Sequence, residues 1–337
     1  MNITPSTVSK SIWNENPTTY IVVRQTFSWI FTLFYPFLYY VILKKSPNNF
    51  GSLKWFLILH AIAITIQWVC SLIFIDFLTF VPSKITRIDG ILIGTFDAGT
   101  LYKTTYIVNS VASASCLLLF CNRIFSILNM YRGIKSKLRQ FFELCVYTLT
   151  CVLSLYVVFG LQIPEQASVK ELTKRISPYY PNCLDDSNVI VLVPPYPEFL
   201  HKIIAFYLVY LLVMILATIV TAQLAYFLLS RRMSNQSEKT KMMHRKFNIK
   251  TLFHVLIDTS FTSIPFTISN LATLFQWKIP ELTYAVDVLS RNNPTACIIV
   301  IFVYYEPYQK FLKELFQTSI LKKNKTTAVN SVKSVLM

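Results

Sequence analysis

Asp287 and Arg291 stand four residues apart inside an otherwise apolar run, and Asn292-Asn293-Pro294 follows at once. On a helix that spacing puts the carboxylate and the guanidinium on one face, where they can pair. Ionised side chains in such a run are costly, so they mark a self-satisfied packing pair or a group that meets a ligand or a switch. Both readings stand for Asp287, Arg291 and Asn293. Asp258 poses the same question seven residues before Pro265: it is a packing hydrogen bond or an aid to a proline kink. Arg123 ends an uncharged run at Cys121-Asn122-Arg123. A cation there can hold neighbouring helices at rest and meet a cytoplasmic partner when they open, or it can simply snorkel to the interface. Arg231, Arg245 and Lys246 belong to the stretch Arg231–Lys250, which has seven basic residues and one acid. A run of that kind anchors to anionic lipid or docks an effector.

Other chemistry is missing. His60, His201, His244 and His254 have no metal-ligand spacing, and no phosphate loop, zinc-binding HExxH, GxSxG elbow or hydrolase carboxylate pair is present. No enzyme activity, metal or cofactor is expected.

The elements that must carry these residues follow from composition. Of 337 residues, 54% are hydrophobic, 15% aromatic and only 14% charged. A soluble domain carries about 25% charge, so the chain is a membrane protein. A bilayer core needs roughly 20 apolar residues per helix. Seven runs meet that need, giving spans over about 20–43, 55–80, 102–125, 142–162, 202–230, 249–276 and 282–305. Prolines 36, 265 and 294 fall inside spans, where neighbouring helices can re-satisfy the freed carbonyls. Asp76, at the outer end of the second span, is expected to reach water.

Charge sets the orientation. The net charge is +16, from 32 Lys+Arg and 16 Asp+Glu. With the N-terminus outside, the cytoplasmic segments hold 21 basic and 4 acidic residues, a sum of +17, and everything else sums to −1. The positive-inside rule therefore gives N-out and C-in. The expected fold is an all-α membrane protein, a seven-transmembrane helix bundle. Residues 1–19 form an extracellular N-terminus, 20–309 the seven-span domain, 162–200 a long extracellular loop and 310–337 a cytoplasmic tail. The basic excess is a topology signal, with lipid headgroups as its partner and no nucleic acid implied.

The loop 162–200 carries six prolines and Tyr179, Tyr180 and Tyr196. It is an ordered lid over the bundle mouth or a surface loop without ligand contact. Cys183 lies in it. The outer third-helix region, Ile91–Val111, has no cysteine, so Cys183 is expected as a free thiol or an intermolecular partner.

Several short stretches, taken in order, carry a family resemblance. They are Leu53-Lys54-Trp55 with Leu57-Ile58-Leu59-His60, Asn122-Arg123-Ile124-Phe125, Ile163-Pro164-Glu165-Gln166, Pro181-Asn182-Cys183-Leu184, His244-Arg245-Lys246-Phe247 and Glu306-Pro307-Tyr308-Gln309. The chain resembles the nematode serpentine chemoreceptors of the Str superfamily, most of all serpentine receptor class H (Srh), from about residue 20 to 315. The last motif usually ends in Arg, where this chain has Gln309. The resemblance implies a chemosensory G-protein-coupled receptor of the plasma membrane, on sensory-neuron cilia. Its partners would be a small-molecule ligand and a heterotrimeric G protein, with Asn122, Arg123, Pro265, Arg231, Arg245 and Lys246 on the coupling side. The Asp-Arg-Tyr of rhodopsin-type receptors is absent, and Cys297 stands where their Asn-Pro-x-x-Tyr would place Tyr. The rival classes are a ligand-gated channel or carrier and a non-signalling membrane scaffold.

Overall fold

The computed structural model describes residues 11–47, 52–132, 163–177, 179–192 and 259–315, with isolated positions elsewhere, and gives only the backbone path of 123–132. Most of it is helix. α1 (Thr18–Ile30) and α2 (Phe34–Lys45) make one apolar stretch of 28 residues. Its interruption has a local cause. Pro36 brings no N–H, and the turn before it closes on three-residue bonds: Thr32 N–H to Trp29 O (3.1 Å), Phe34 N–H to Phe31 O (3.0 Å) and Tyr35 N–H to Thr32 O (3.2 Å). α3 (Ser52–Val69) widens into a π turn, Cys70–Phe74, before the chain leaves the bundle. α4 (Ala98–Arg132) has 35 residues, roughly 50 Å at 1.5 Å per residue.

Proline shapes the last helices too. A π turn, Thr259–Ser263, leads into α6 (Ile264–Leu274), with Pro265 at its second position; α5 is the short helix Gln166–Ile176. α7 (Glu281–Arg291) and α8 (Asn293–Tyr304) meet at Asn292 with a 44° bend, and Pro294 occupies the second position of α8. Among the described residues, Thr18–Lys45 and Leu53–Phe74 are long and apolar enough to cross a bilayer. The bent pair α7–α8 is a third if its halves form one span. α2, α3 and α8 share a core in which Leu38, Ile42, Leu57, Ile64, Ile298 and Ile301 are fully buried. Tyr35 stacks on Trp68 there, ring centres 4.5 Å apart.

An all-α fold is corrected by a three-stranded antiparallel sheet: β1 (Asp76–Phe80), β2 (Ile85–Asp89) and β3 (Val189–Val191), in the order β1-β2-β3. The second span therefore does not extend through residue 80. Phe77-Leu78-Thr79-Phe80 is as apolar as a helix end, and hydropathy cannot separate the two. Aromatic and β-branched side chains together with the turn at Val81-Pro82 favour the strand. Phe80 pairs with Ile85, and Ile85 in turn with Val191. Both faces of the sheet are covered. Leu78, Phe80, Ile85, Val189 and Val191 pack with Trp13, Val169 and Leu184, while Ile88 and Ile190 pack with Ile75, Leu101 and Leu192. The Trp13 indole N–H donates to Val81 O at 3.0 Å.

Alternation of the helices shows in what meets at each end. The N-terminal segment, the hairpin, the 163–192 segment and the α6–α7 connection gather at one end. There Tyr284 donates to Asn14 O, Lys278 reaches the Tyr179 hydroxyl at 3.2 Å, and Glu15 accepts from the Asn182 and Cys183 N–H groups. At the other end Ser46 meets Tyr308, hydroxyl to hydroxyl, at 2.7 Å, and Lys45 lies 4.5 Å from the Phe311 ring centre.

Gly90 ends β2 at φ +120°, and a Cβ there would fall 2.5 Å from the Phe74 carbonyl oxygen. Gly94, at φ +87°, faces open space. Gly90→Ala is expected to cost more than Gly94→Ala, whose penalty is backbone strain alone, about 1–3 kcal/mol. Thermal unfolding of the detergent-purified variants checks the order; equal melting temperatures would contradict it.

Candidate functional site

One turn of α1 places Tyr20 and Arg24 on the same face, and one turn of α7 does the same for Asp287 and Arg291. Asp76, the first residue of β1, arrives between them. The result is a closed ring of four charges. Asp287 gives one oxygen, Oδ2, to Arg24 Nη1 (3.2 Å) and the other, Oδ1, to Arg291 Nε (2.8 Å). Asp76 likewise gives Oδ2 to Arg24 and Oδ1 to Arg291. Tyr20 donates its hydroxyl proton to Asp287, and Arg291 also donates to Phe77 O and, at 2.8 Å, to Ser71 O. The guanidiniums lie near aromatic faces, Arg24 over Tyr20 (5.3 Å) and Arg291 over Phe77 (5.2 Å).

Two cations and two anions leave the ring neutral. That balance is what permits its burial, since an uncompensated charge in a dry interior costs several kcal/mol. The side chains of Arg24, Arg291 and Asp287 are 8%, 7% and 6% exposed, whereas Asp76 keeps 27%. The ring is thus approached from the Asp76 side. A cavity of about 20 Å³ adjoins it, walled by Arg24, Ser28, Trp68, Asp76 and Arg291, enough for about one water molecule. A much wider open cleft, about 530 Å³, lies over the sheet between Glu15, Arg87, Asp89, Cys183 and Asp186. Its walls are polar, and Arg87 is tied there to Asp89 (2.8 Å) and to Glu15 O (2.7 Å).

The other residues singled out in the sequence are scattered. Asn293 is buried at the start of α8, 3.7 Å from Cys297 Sγ. Asn122 is fully buried in α4, and Arg123 follows it on that helix, its side chain outside the described residues. Pro265 starts α6 directly after the π turn. Arg231, Arg245, Lys246 and Asp258 lie outside the described residues. The structure therefore brings Asp287 and Arg291 together, and α6, which carries Pro265, packs against the helix that holds them. It also corrects Asp76, which is held by two arginines and does not simply reach water.

The sequence model of the serpentine type 7TM GPCR chemoreceptor Srh family matches residues 15–318. The chain belongs to the Srh family. Comparison with curated proteins returns no match. Srh proteins are membrane chemoreceptors of the seven-transmembrane GPCR type, a family that is not enzymatic in general. In this Srh chain the ring draws on three segments at the end where residues 11–16 meet the sheet. Sequence reasoning missed Tyr20, Arg24 and the role of Asp76. The signal was there: Arg24 is a charge inside the first span, one turn from Tyr20.

Cys183 of this Srh chain is a free thiol bordering the cleft. Burial first, then the Glu15 carboxylate, push its pKa up to about 12. Since only the thiolate reacts, iodoacetamide is expected to alkylate Cys183 roughly a thousandfold more slowly than an ordinary cysteine at neutral pH. Peptide mass spectrometry over time reads that rate, and ordinary labelling would refute it.

The ring makes a sharper prediction. Asp287→Ala leaves two buried guanidiniums sharing one carboxylate and should cost about 3–5 kcal/mol, seen as a lower Tm of the purified protein. Arg24→Met combined with Asp287→Leu removes one charge of each sign and should cost less than Asp287→Ala alone. If the paired change is the worse of the two, charge balance is not what stabilises the site.

Proposed function

We propose that this chain is a chemosensory G-protein-coupled receptor that takes a small organic ligand from outside and signals to a heterotrimeric G protein. The observation that carries this reading is the neutral ring joining α1, β1 and α7 one residue from the bend at Asn292. An agonist acts only by binding one helix arrangement better than another. A ring open to solvent at Asp76 and attached to a bent helix offers such a bias. A ligand that draws on Asp76, or that wedges the sheet away from α7, alters the balance at the bend. The π turn before Pro265 is a second place where the regular helix bonding is interrupted.

The orientation we propose is N-out and C-in with seven spans. Its support is the grouping of residues 11–16 with the hairpin and the 163–192 segment at one end, opposite the 306–315 segment. Charge sorting, +17 on the predicted cytoplasmic side, favours that second end as the inner one. Arg123, with Asn122 and the basic residues Arg231, Arg245 and Lys246, is then the proposed G-protein face, and Pro265 the hinge that opens it. Asp287, Arg291, Asn293 and Asp258 are the proposed ligand or switch residues. By family resemblance the protein resides in the plasma membrane of sensory cilia.

A chemical panel screened in cells with a G-protein-dependent readout tests the reading. Arg123→Ala, matched for surface receptor, is expected to lower the response by about tenfold or more. Intact coupling in that variant removes Arg123 from the scheme. A ligand-gated current that persists without G protein would replace the receptor reading with a channel.

A further inference from the structure

Lys84 is the inward cation that the ring does not use. It closes the β1–β2 turn in the left-handed conformation, φ +55°, a region a long side chain seldom adopts. The sheet holds it there on both sides: its N–H donates to Phe80 O (3.1 Å) and its carbonyl accepts from Leu192 N–H (3.4 Å). So fixed, the side chain runs down onto α6. Its ammonium donates to Ser269 Oγ at 3.1 Å and lies 5.9 Å from the centre of the Phe266 ring. Ser269 is buried and sits five residues before the last residue of α6, Leu274, roughly 7–8 Å along the axis. The charge therefore lies against the flank of α6, on a side chain that is itself partly buried.

Arg24 and Arg291 each have two carboxylates. Among the described residues none forms an ion pair with Lys84. Burial pushes its ammonium down to about 8, with no neighbouring charge to oppose the shift. A cation so placed is costly until an anion joins it. Ser269 accepts from the ammonium and keeps its own hydroxyl proton to offer, while Phe266 supplies an apolar wall.

We propose that Lys84 is the counter-charge for a carboxylate-bearing small molecule, whose acid group meets the ammonium and the Ser269 hydroxyl while its apolar body lies along Phe266. Because this names the ligand class of the receptor proposed above, it rests on that reading. It also selects one ligand-contacting residue on the hairpin, away from the four-charge ring.

The test uses the full chain in phosphatidylcholine nanodiscs, with butanoate, hexanoate, decanoate and benzoate as probes and their methyl esters as neutral partners. Thermal stabilisation is one readout and the G-protein response in cells the other. At least one acid, and not its ester, is expected to stabilise the protein. Lys84→Gln should weaken that effect by about tenfold or more, and Lys84→Arg, which keeps the charge, should retain most of it and guards against a merely misfolded Gln variant. Acids and esters acting alike, no acid binding, or an unaltered Lys84→Gln each overturn the proposal. Lys84-dependent stabilisation by phosphatidylglycerol but not by the acids would assign the anion to lipid and overturn it as well. If acids bind through Lys84 while no G-protein response follows, the binding site stands and the signalling reading falls. If neutral ligands drive a G-protein response while no acid binds through Lys84, the reverse holds.

Discussion

In the ring of Arg24, Asp76, Asp287 and Arg291 every carboxylate oxygen faces a guanidinium, and each guanidinium faces both carboxylates. Much of the rest of the architecture depends on that neutrality. The first helix can carry an arginine within an apolar stretch only because two acids from distant parts of the chain arrive beside it. Asp76 reaches that point because α3 ends in a π turn and the chain turns into a strand. Asp287 and Arg291 reach it because α7 presents them one turn apart. The ring thus couples the placement of the sheet to the placement of the last helix pair.

Proline governs where the helices give way. Pro36, Pro265 and Pro294 each lie within the first three residues of a helical segment, behind a tight turn, a π turn and a 44° bend respectively. At each site the missing N–H has been moved to a place where the helix is already interrupted, so its cost falls on a break and not on a continuous ladder. The ring adjoins one of these breaks. Lys84 reaches the helix that begins at another.

The first two helical runs, Thr18–Lys45 and Leu53–Phe74, were legible because twenty-residue hydrophobic stretches have few other solutions in a bilayer. Asp287 and Arg291 were legible as a pair because helical spacing is local. The ring was not, because its two halves lie more than two hundred residues apart and the Asp287–Arg291 half reads by itself as a self-neutral pair. The sheet escaped for a different reason. Phe77 to Phe80 continues the apolar run of α3, and only the partner strands distinguish it from helix. β3 lies in the Pro-rich segment, where Val189-Ile190-Val191 is short enough to pass for loop.

β3 fastens the 163–192 segment to the hairpin through a pairing only three residues long, with Gln166 holding Val191 at 2.8 Å from the side. Among the described residues Cys183 forms no disulfide. The cover over this end of the bundle is consequently zipped and not welded. What secures it is burial on both faces: Val189 and Val191 pack with Phe80 and Leu184, and Ile190 packs with Leu101 and Leu192.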